Sequence, residues 1–176
     1  MIDANKINQL ANLIENASKI TVVTHMKPDG DAMGSSLAMY HFLAWFTDCD
    51  ARIVLNDRFP ANLAFLVDEE TSKNILVHAE NAEEASERIT SSDLIICLDF
   101  NAFHRTDKLE DALKTATCKK VLIDHHLFPD IENFALAFTT PETSSASELL
   151  FHILKAMPQC EGKASNLPMK AAEALM

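Results

Sequence analysis

The sequence predicts an α/β fold built on a mainly parallel sheet. Two observations carry that expectation. Single short apolar runs alternate with segments of helical period along most of the chain. The apolar share is 48 %, while Gly and Pro number only 3 and 6 among 176 residues, which supports a real core and excludes collagen-like and low-complexity chains. That length fits a single domain over residues 1–176.

Residues 3–18 read as an amphipathic helix, with Ile7, Leu10, Leu13 and Ile14 at helical spacing. Ile20-Thr21-Val22-Val23-Thr24 is a β-branched run and reads as a strand. Residues 31–46 return to helix, rich in Met, Leu and Phe with almost no polar face, so that helix is expected to be covered on most sides. Arg52 to Leu55 is a strand, 60–67 a short helix opened by Pro60, and Ile75 to Val77 a weak strand. Residues 81–90 form an acidic helix, with Glu80, Glu83, Glu84 and Glu87 as a solvated face. Asp93 to Leu98 is a buried strand, 107–116 a helix, 120–123 and 134–138 strands, and 145–157 a helix whose Ser145 and Glu148 fit a capping box. Asn166 fits the cap of a last helix, with Met169, Ala172 and Leu175 on one face. The chain stops at Leu175-Met176 without a helix stop signal, which leads to the expectation that sequence is missing beyond it.

Charge narrows the function classes. Fifteen Lys and Arg against 26 Asp and Glu give −11, which argues against a free-standing protein that coats nucleic acid. Cys49, Cys97, Cys118 and Cys160 form no C-x-x-C pair, which excludes a zinc ribbon or a thioredoxin-type motif. The N-terminus has no signal-peptide pattern, and no apolar stretch is long enough to span a membrane, so a cytoplasmic location is expected.

Three strands end in the same kind of chemistry. Ile20 to Thr24 runs into His25, with Asp29 and Asp31 following; Asp93 to Leu98 runs into Asp99; Val121 to Ile123 runs into Asp124, His125 and His126. In an open α/β sheet, ligands bind outside the carboxyl ends of the strands, so parallel strands would bring all three clusters to one edge. The set mixes carboxylate oxygen with imidazole nitrogen and has no thiolate, which suits Mn²⁺, Mg²⁺ or Fe²⁺ and, less specifically, Zn²⁺. His25, Asp29, Asp31, Asp99 and His125 offer too many ligands for one ion and enough for two, with one Asp bridging. Paired metals activate a water and clamp the leaving oxygen in phosphoryl hydrolysis. Gly30 and Gly34 flank Asp31, and Ser35 and Ser36 follow; this reads either as plain turn chemistry or as a helix start facing a phosphate.

These residues carry a resemblance. His25-Met26-Lys27-Pro28-Asp29-Gly30-Asp31-Ala32-Met33-Gly34-Ser35 resembles the first motif of the DHH phosphoesterases, Asp99-Phe100-Asn101 with Arg105 resembles the second, and Asp124-His125-His126 is the triplet that names the family. The match runs from about residue 1 to the end, and within the family it is most similar to the bacterial oligoribonuclease and pAp-phosphatase branch. The resemblance implies a Rossmann-like lobe with helices on both faces and a cofactor of two Mn²⁺ ions, with Mg²⁺ as the substitute. It implies that His25 and Asp29 hold one ion, that Asp31 and His125 hold the other, and that Asp99 bridges. His126 would contact the scissile phosphate or assist proton transfer, and Asp124 would orient the histidine pair. The implied activity is hydrolysis of short oligoribonucleotides, dinucleotides or 3′-phosphoadenosine 5′-phosphate by two-metal-activated water. Alternatives within the family are a RecJ-like exonuclease and an inorganic pyrophosphatase.

The sequence departs from the family pattern in two ways. A Thr-Asp-Thr-Gly type motif, which supplies a further metal-bridging Asp, is absent, and Asp130 follows the triplet too closely to replace it. The family's second lobe, with its Gly-rich and basic substrate surface, is absent too. The chain therefore resembles a DHH lobe cut just before a metal ligand. The expected partner is a short RNA or nucleotide substrate, with a homodimer possible through the apolar 31–46 helix, and no membrane. A metal-binding lobe of weak or no turnover is the competing expectation. His41 and His152 are expected outside the site, His104 on an exposed loop, and Arg105 either on a substrate phosphate or paired with a carboxylate.

Overall fold

A computed structural model describes residues 2–160 and 167–176. Six strands form one sheet: β1 (Lys19–Thr24), β2 (Asp50–Leu55), β3 (Ile75–Val77), β4 (Leu94–Leu98), β5 (Lys119–Asp124) and β6 (Leu136–Thr139). Their spatial order is β3-β2-β1-β4-β5-β6 and every pairing is parallel, so the sheet is wholly rather than mainly parallel. The chain builds outward from β1 to β3, then returns to the other side of β1 with β4. The switch point of the topology therefore lies between β1 and β4, where such sheets open a crevice.

Among the described residues, seven α-helices surround the sheet: α1 (Ala4–Glu15), α2 (Gly30–Phe46), α3 (Glu69–Ser72), α4 (Ala82–Thr90), α5 (Glu110–Thr115), α6 (Ala146–Ala156) and α7 (Met169–Ala174). Alternation along the strands splits the core in two. Leu94, Ile96 and Leu98 of β4 pack with α1, α2 and α6 on one face. Ile95 and Cys97 pack with Ala85 and Ile89 of α4 and Ala112 and Leu113 of α5 on the other. Helix α2 is buried from Ala32 to Tyr40 without a break, as its all-round apolar sequence requires.

Several expectations need correction. The 107–116 helix is instead a 3-10 segment over Phe103–Leu109, kinked at Asp107 by a non-helical φ of 50°, followed by the short α5. The 60–67 segment is 3-10 over Ala61–Leu66, and α3 follows it on an Asp68 cap that the short, polar sequence conceals. The face of α7 is set by Ala171, which is buried, while Met169 is 74 % exposed; tertiary fit outranks side-chain size there. The Asn166 cap lies outside the described residues. Among the described residues, no helix is long and apolar enough to cross a membrane.

Candidate metal centre

Strand register brings the three sequence clusters together. Thr24 of β1 pairs with Leu98 of β4, and Leu98 pairs with Ile123 of β5. The next residues along are His25, Asp99 and Asp124, so all three emerge side by side at the carboxyl edge, next to the switch point.

Asp99 is the middle of the arrangement. It is 2 % exposed and holds φ 62°, a left-handed conformation that Asp tolerates better than most residues. Its Oδ2 lies 3.5 Å from His25 Nε2, and its Oδ1 lies 3.5 Å from His125 Nε2 and 3.8 Å from His126 Nδ1. His25 Nε2 is also 3.8 Å from Asp29 Oδ1, and His125 Nε2 is 3.8 Å from Asp31 Oδ2. Two ligand sets result, His25, Asp29 and Asp99 in one and Asp99, His125 and His126 in the other, with donor atoms within 4.8 Å of one another in each. Asp99 belongs to both.

The supporting bonds explain how each side chain is aimed. Asp29 caps α2: its Oδ1 accepts from the backbone N–H groups of Asp31 and Ala32 at 3.0 and 3.1 Å. Asp31 plays the same part for a different helix. Its two oxygens accept from the N–H groups of Ala146 and Ser147, the first residues of α6, at 2.7 and 2.8 Å. The same carboxylate thus faces His125 and anchors α6, a second task that its sequence position does not reveal. His25 Nδ1 donates to the Met26 carbonyl at 2.8 Å, which turns Nε2 toward Asp99. His126 Nδ1 donates to Asp124 Oδ1 at 2.7 Å, which leaves its own Nε2 free. Asp124 is fully buried.

The donor set fits a divalent cation. Asp99 Oδ1 and Asp124 Oδ2 are buried without a hydrogen-bond partner, and Asp99 Oδ1 has two imidazole nitrogens within 3.8 Å. Burial, helped by the charges of Asp31 and Asp29, pushes the Asp99 carboxyl up, although a bond from His25 opposes this. Burial also works against a charged His25, but hydrogen bonds to Asp99 and Met26 and the charges of Asp99 and Asp29 leave it raised. The Asp99 shift marks crowded carboxylates that a cation relieves, and the His25 shift reflects the same negative field.

Other sequence candidates are placed elsewhere. Gly34 is not a turn residue: it lies inside α2, where a Cβ would stand 2.5 Å from the Ala174 carbonyl oxygen. Ser35 and Ser36 are buried in the second turn of α2, with the Ser35 hydroxyl bonded to the Asp31 carbonyl, so neither presents a phosphate-binding surface. His104 is exposed. Sequence reasoning passed over Asn56 and Asp57, since isolated loop Asn and Asp residues carry no spacing signal. Asn101 donates to the Leu127 carbonyl at 2.9 Å and accepts from Asp130 N–H at 2.8 Å, tying the loop after β4 to the loop after the histidine pair.

Fold and site together define a parallel α/β domain with a carboxylate–imidazole cluster at its switch point. The model of the DHH family, N-terminal domain, matches residues 19–176, and the chain belongs to that family. It is 27 % identical over 167 residues to the cyclic-di-AMP phosphodiesterase PdeA of Listeria monocytogenes serotype 1/2a (strain 10403S), covering 91 % of this chain and 25 % of that protein. It is 28 % identical over 171 residues to the cyclic-di-AMP phosphodiesterase GdpP of Geobacillus thermodenitrificans (strain NG80-2), covering 95 % and 25 %. The crystal structure of an exopolyphosphatase-related protein from Bacteroides fragilis superposes with a TM-score of 0.89 at 36 % identity, over 99 % of this chain and 49 % of that one. The exonuclease RecJ bound to manganese shares the fold, with a TM-score of 0.53 at 20 % identity, over 99 % of this chain and 42 % of that one. The chain thus spans about a quarter of the curated relatives and about half of the solved structures.

Proposed function

We propose that this chain is the metal-binding lobe of a phosphoesterase that hydrolyses a phosphate ester in a short nucleotide substrate: a short oligoribonucleotide, a dinucleotide or 3′-phosphoadenosine 5′-phosphate. The observation that carries the reading is Asp99, a buried carboxylate whose two oxygens face three imidazoles on two different strand ends at 3.5–3.8 Å. The cyclic-di-AMP phosphodiesterase relatives support a phosphodiester substrate and favour dinucleotides over the other two.

His25, Asp29 and Asp99 would hold one divalent cation, and Asp99 with His125 a second, with Asp31 and His126 beside it. The manganese carried by RecJ supports Mn²⁺ as the ion, with Mg²⁺ as its hard-ligand substitute. Such a pair supplies a water acidic enough to act at neutral pH and positive charge for the phosphoryl oxygens. The chain's own groups do the rest. Asp124 fixes the His126 tautomer by accepting its Nδ1 proton, so Nε2 is the atom offered to substrate. The α6 amides hold the Asp31 carboxyl aimed. The cluster of like charges, unpaired by any Lys or Arg among the described residues, selects for cations.

The test is release of phosphate or nucleoside monophosphate from 3′-phosphoadenosine 5′-phosphate and from a labelled diribonucleotide, with Mn²⁺ and with EDTA. Metal-dependent release supports the reading. A second reading rests on the fraction of its relatives that the chain spans: a lobe that binds the ions without turning over. It predicts a Mn²⁺-dependent rise in Tm and no product. Neither product nor a Tm response overturns both.

A further inference from the structure

Arg105 is the group at the rim that the metal centre leaves without a task. The chain has four arginines. Arg52 reaches Asp50 and Glu84, Arg58 reaches Glu80 and Arg88 reaches Asp50. Arg105 is half-buried, yet among the described residues its guanidinium has neither an ion pair nor a hydrogen bond, in a chain with 26 acidic residues. Partly desolvating a guanidinium without a partner is unfavourable, and five donors in a planar fork are left open.

Its position is held firmly. The Arg105 carbonyl accepts from the Met26 N–H at 2.8 Å, which seats Arg105 against the residue that follows His25. The loop is pinned again three residues on. Lys108 N–H donates to Asn56 Oδ1 at 3.0 Å, just after Asp107 at φ 50°. Asn56 is 3 % exposed; its amide donates to Asp57 Oδ2, which in turn accepts from Lys27 N–H, each at 2.9 Å. Lys27 sits at φ 51°. Two left-handed turns, one on the His25 loop and one on the Arg105 loop, are therefore clamped by one Asn-Asp pair. Strain held by well-made bonds of this kind is typical of a loop whose exact placement matters.

The carboxylates of the metal centre lie beyond 4.0 Å from this guanidinium, since none of Asp29, Asp31 or Asp99 pairs with it. Its donors are therefore open to an anion other than these carboxylates. We propose that Arg105 binds a second phosphate of the substrate, one that is not hydrolysed, and that the Asn56–Asp57 pair positions it for this. The fork of donors matches two oxygens of one phosphate. The inference rests on the phosphoester reading above and deepens it: the preferred substrate carries a phosphate beside the scissile one.

The test uses a dinucleotide with a non-hydrolysable methylenephosphonate linkage, made with and without a 5′-terminal phosphate. Binding to the Mn²⁺-loaded chain is measured by calorimetry. In the wild type the terminal phosphate tightens binding by about tenfold or more, the range of a charge-assisted bidentate contact. Arg105→Ala reduces that increment to less than about twofold, Arg105→Lys keeps part of it, and Mn²⁺ affinity shows that the centre is intact in both. Asn56→Ala, which removes a buried side chain of the clamp, reduces the increment as well. The inference is overturned if the increment survives Arg105→Ala, or if the wild type binds both analogues equally. If the wild type binds neither while Mn²⁺ binds, the phosphoester reading itself fails.

Discussion

The Nδ1 of His126 lies 2.7 Å from Oδ1 of Asp124, a carboxylate with no exposure to solvent. That bond settles which nitrogen of His126 is spent and which is free. Asp124 has a second oxygen that is buried and unpartnered, so the His126 imidazole is its hydrogen-bond partner among the described residues. Asp124→Asn keeps the shape and removes the proton acceptor. The expected result is a folded protein with a Mn²⁺ affinity lower by about 10–100-fold. Titration followed by Tm or by Mn²⁺ electron paramagnetic resonance reads it, and an unchanged affinity would show that Asp124 has no part in the centre.

Asp99→Asn separates chemistry from backbone. Asn accepts the left-handed φ of 62° as readily as Asp does, so the loop after β4 keeps its course. Burial and the neighbouring Asp31 and Asp29 disfavour the ionised form of Asp99 in the folded chain. Without metal, the neutral amide is therefore expected to leave Tm equal or higher. With Mn²⁺ the rise expected of the wild type should vanish, and hydrolysis with it. Scanning calorimetry with and without Mn²⁺ decides; a retained Mn²⁺ response would remove Asp99 from the centre of the site.

Acid sensitivity follows from a different pair, far from the metal cluster. Arg88 is buried, bonded to Thr21 Oγ1 and the Ile20 carbonyl at 3.0 Å each, and paired with Asp50. Partial burial acts to raise Asp50, but the bond and charge of Arg88 and the charge of Arg52 outweigh it and hold the carboxyl below its ordinary 3.8. A depressed folded value means stability that is fully present above pH 3.8 and lost as the pH falls through the lower value. Asp50→Asn is expected to cost about 1–3 kcal/mol at neutral pH. That is below the usual loss for a broken buried pair, because Asp50 is half-exposed. Urea unfolding at pH 7 and near pH 3 checks the sign: the gap between variant and wild type should narrow in acid.

Most of the architecture was legible because each strand is a contiguous apolar run whose length and flanks speak locally. Val121 to Ile123 and Ile20 to Thr24 needed no tertiary context. The site was legible because parallel strands turn distant sequence into one edge. Register then does what no sequence pattern states, levelling Thr24, Leu98 and Ile123. What stayed hidden depends on contacts between elements. Asp31 as anchor of α6, Asn56 as a clamp across two loops, and Ala171 rather than Met169 facing inward are all decided by neighbours more than 50 residues away or by fit at a helix face. Gly34 is the clearest case, because its sequence context of Asp and Ser reads as a turn.

Helix propensity alone says that Gly34→Ala should stabilise α2, by about 1 kcal/mol. The packing of α7 reverses that sign. A Cβ on Gly34 would meet the Ala174 carbonyl oxygen at 2.5 Å and the Ser147 hydroxyl at 3.4 Å. The first is a backbone atom near the end of α7 and cannot rotate away, so α7 must move off α2. Overpacking of this kind costs about 1–3 kcal/mol and outweighs the propensity gain. Gly30, the first residue of the same helix, has nothing within 4 Å of where a Cβ would stand, so Gly30→Ala supplies the control. Urea denaturation should rank the variants with Gly30→Ala at or above the wild type and Gly34→Ala below it. A Gly34→Ala protein more stable than the wild type would mean that α7 does not rest on α2 in solution.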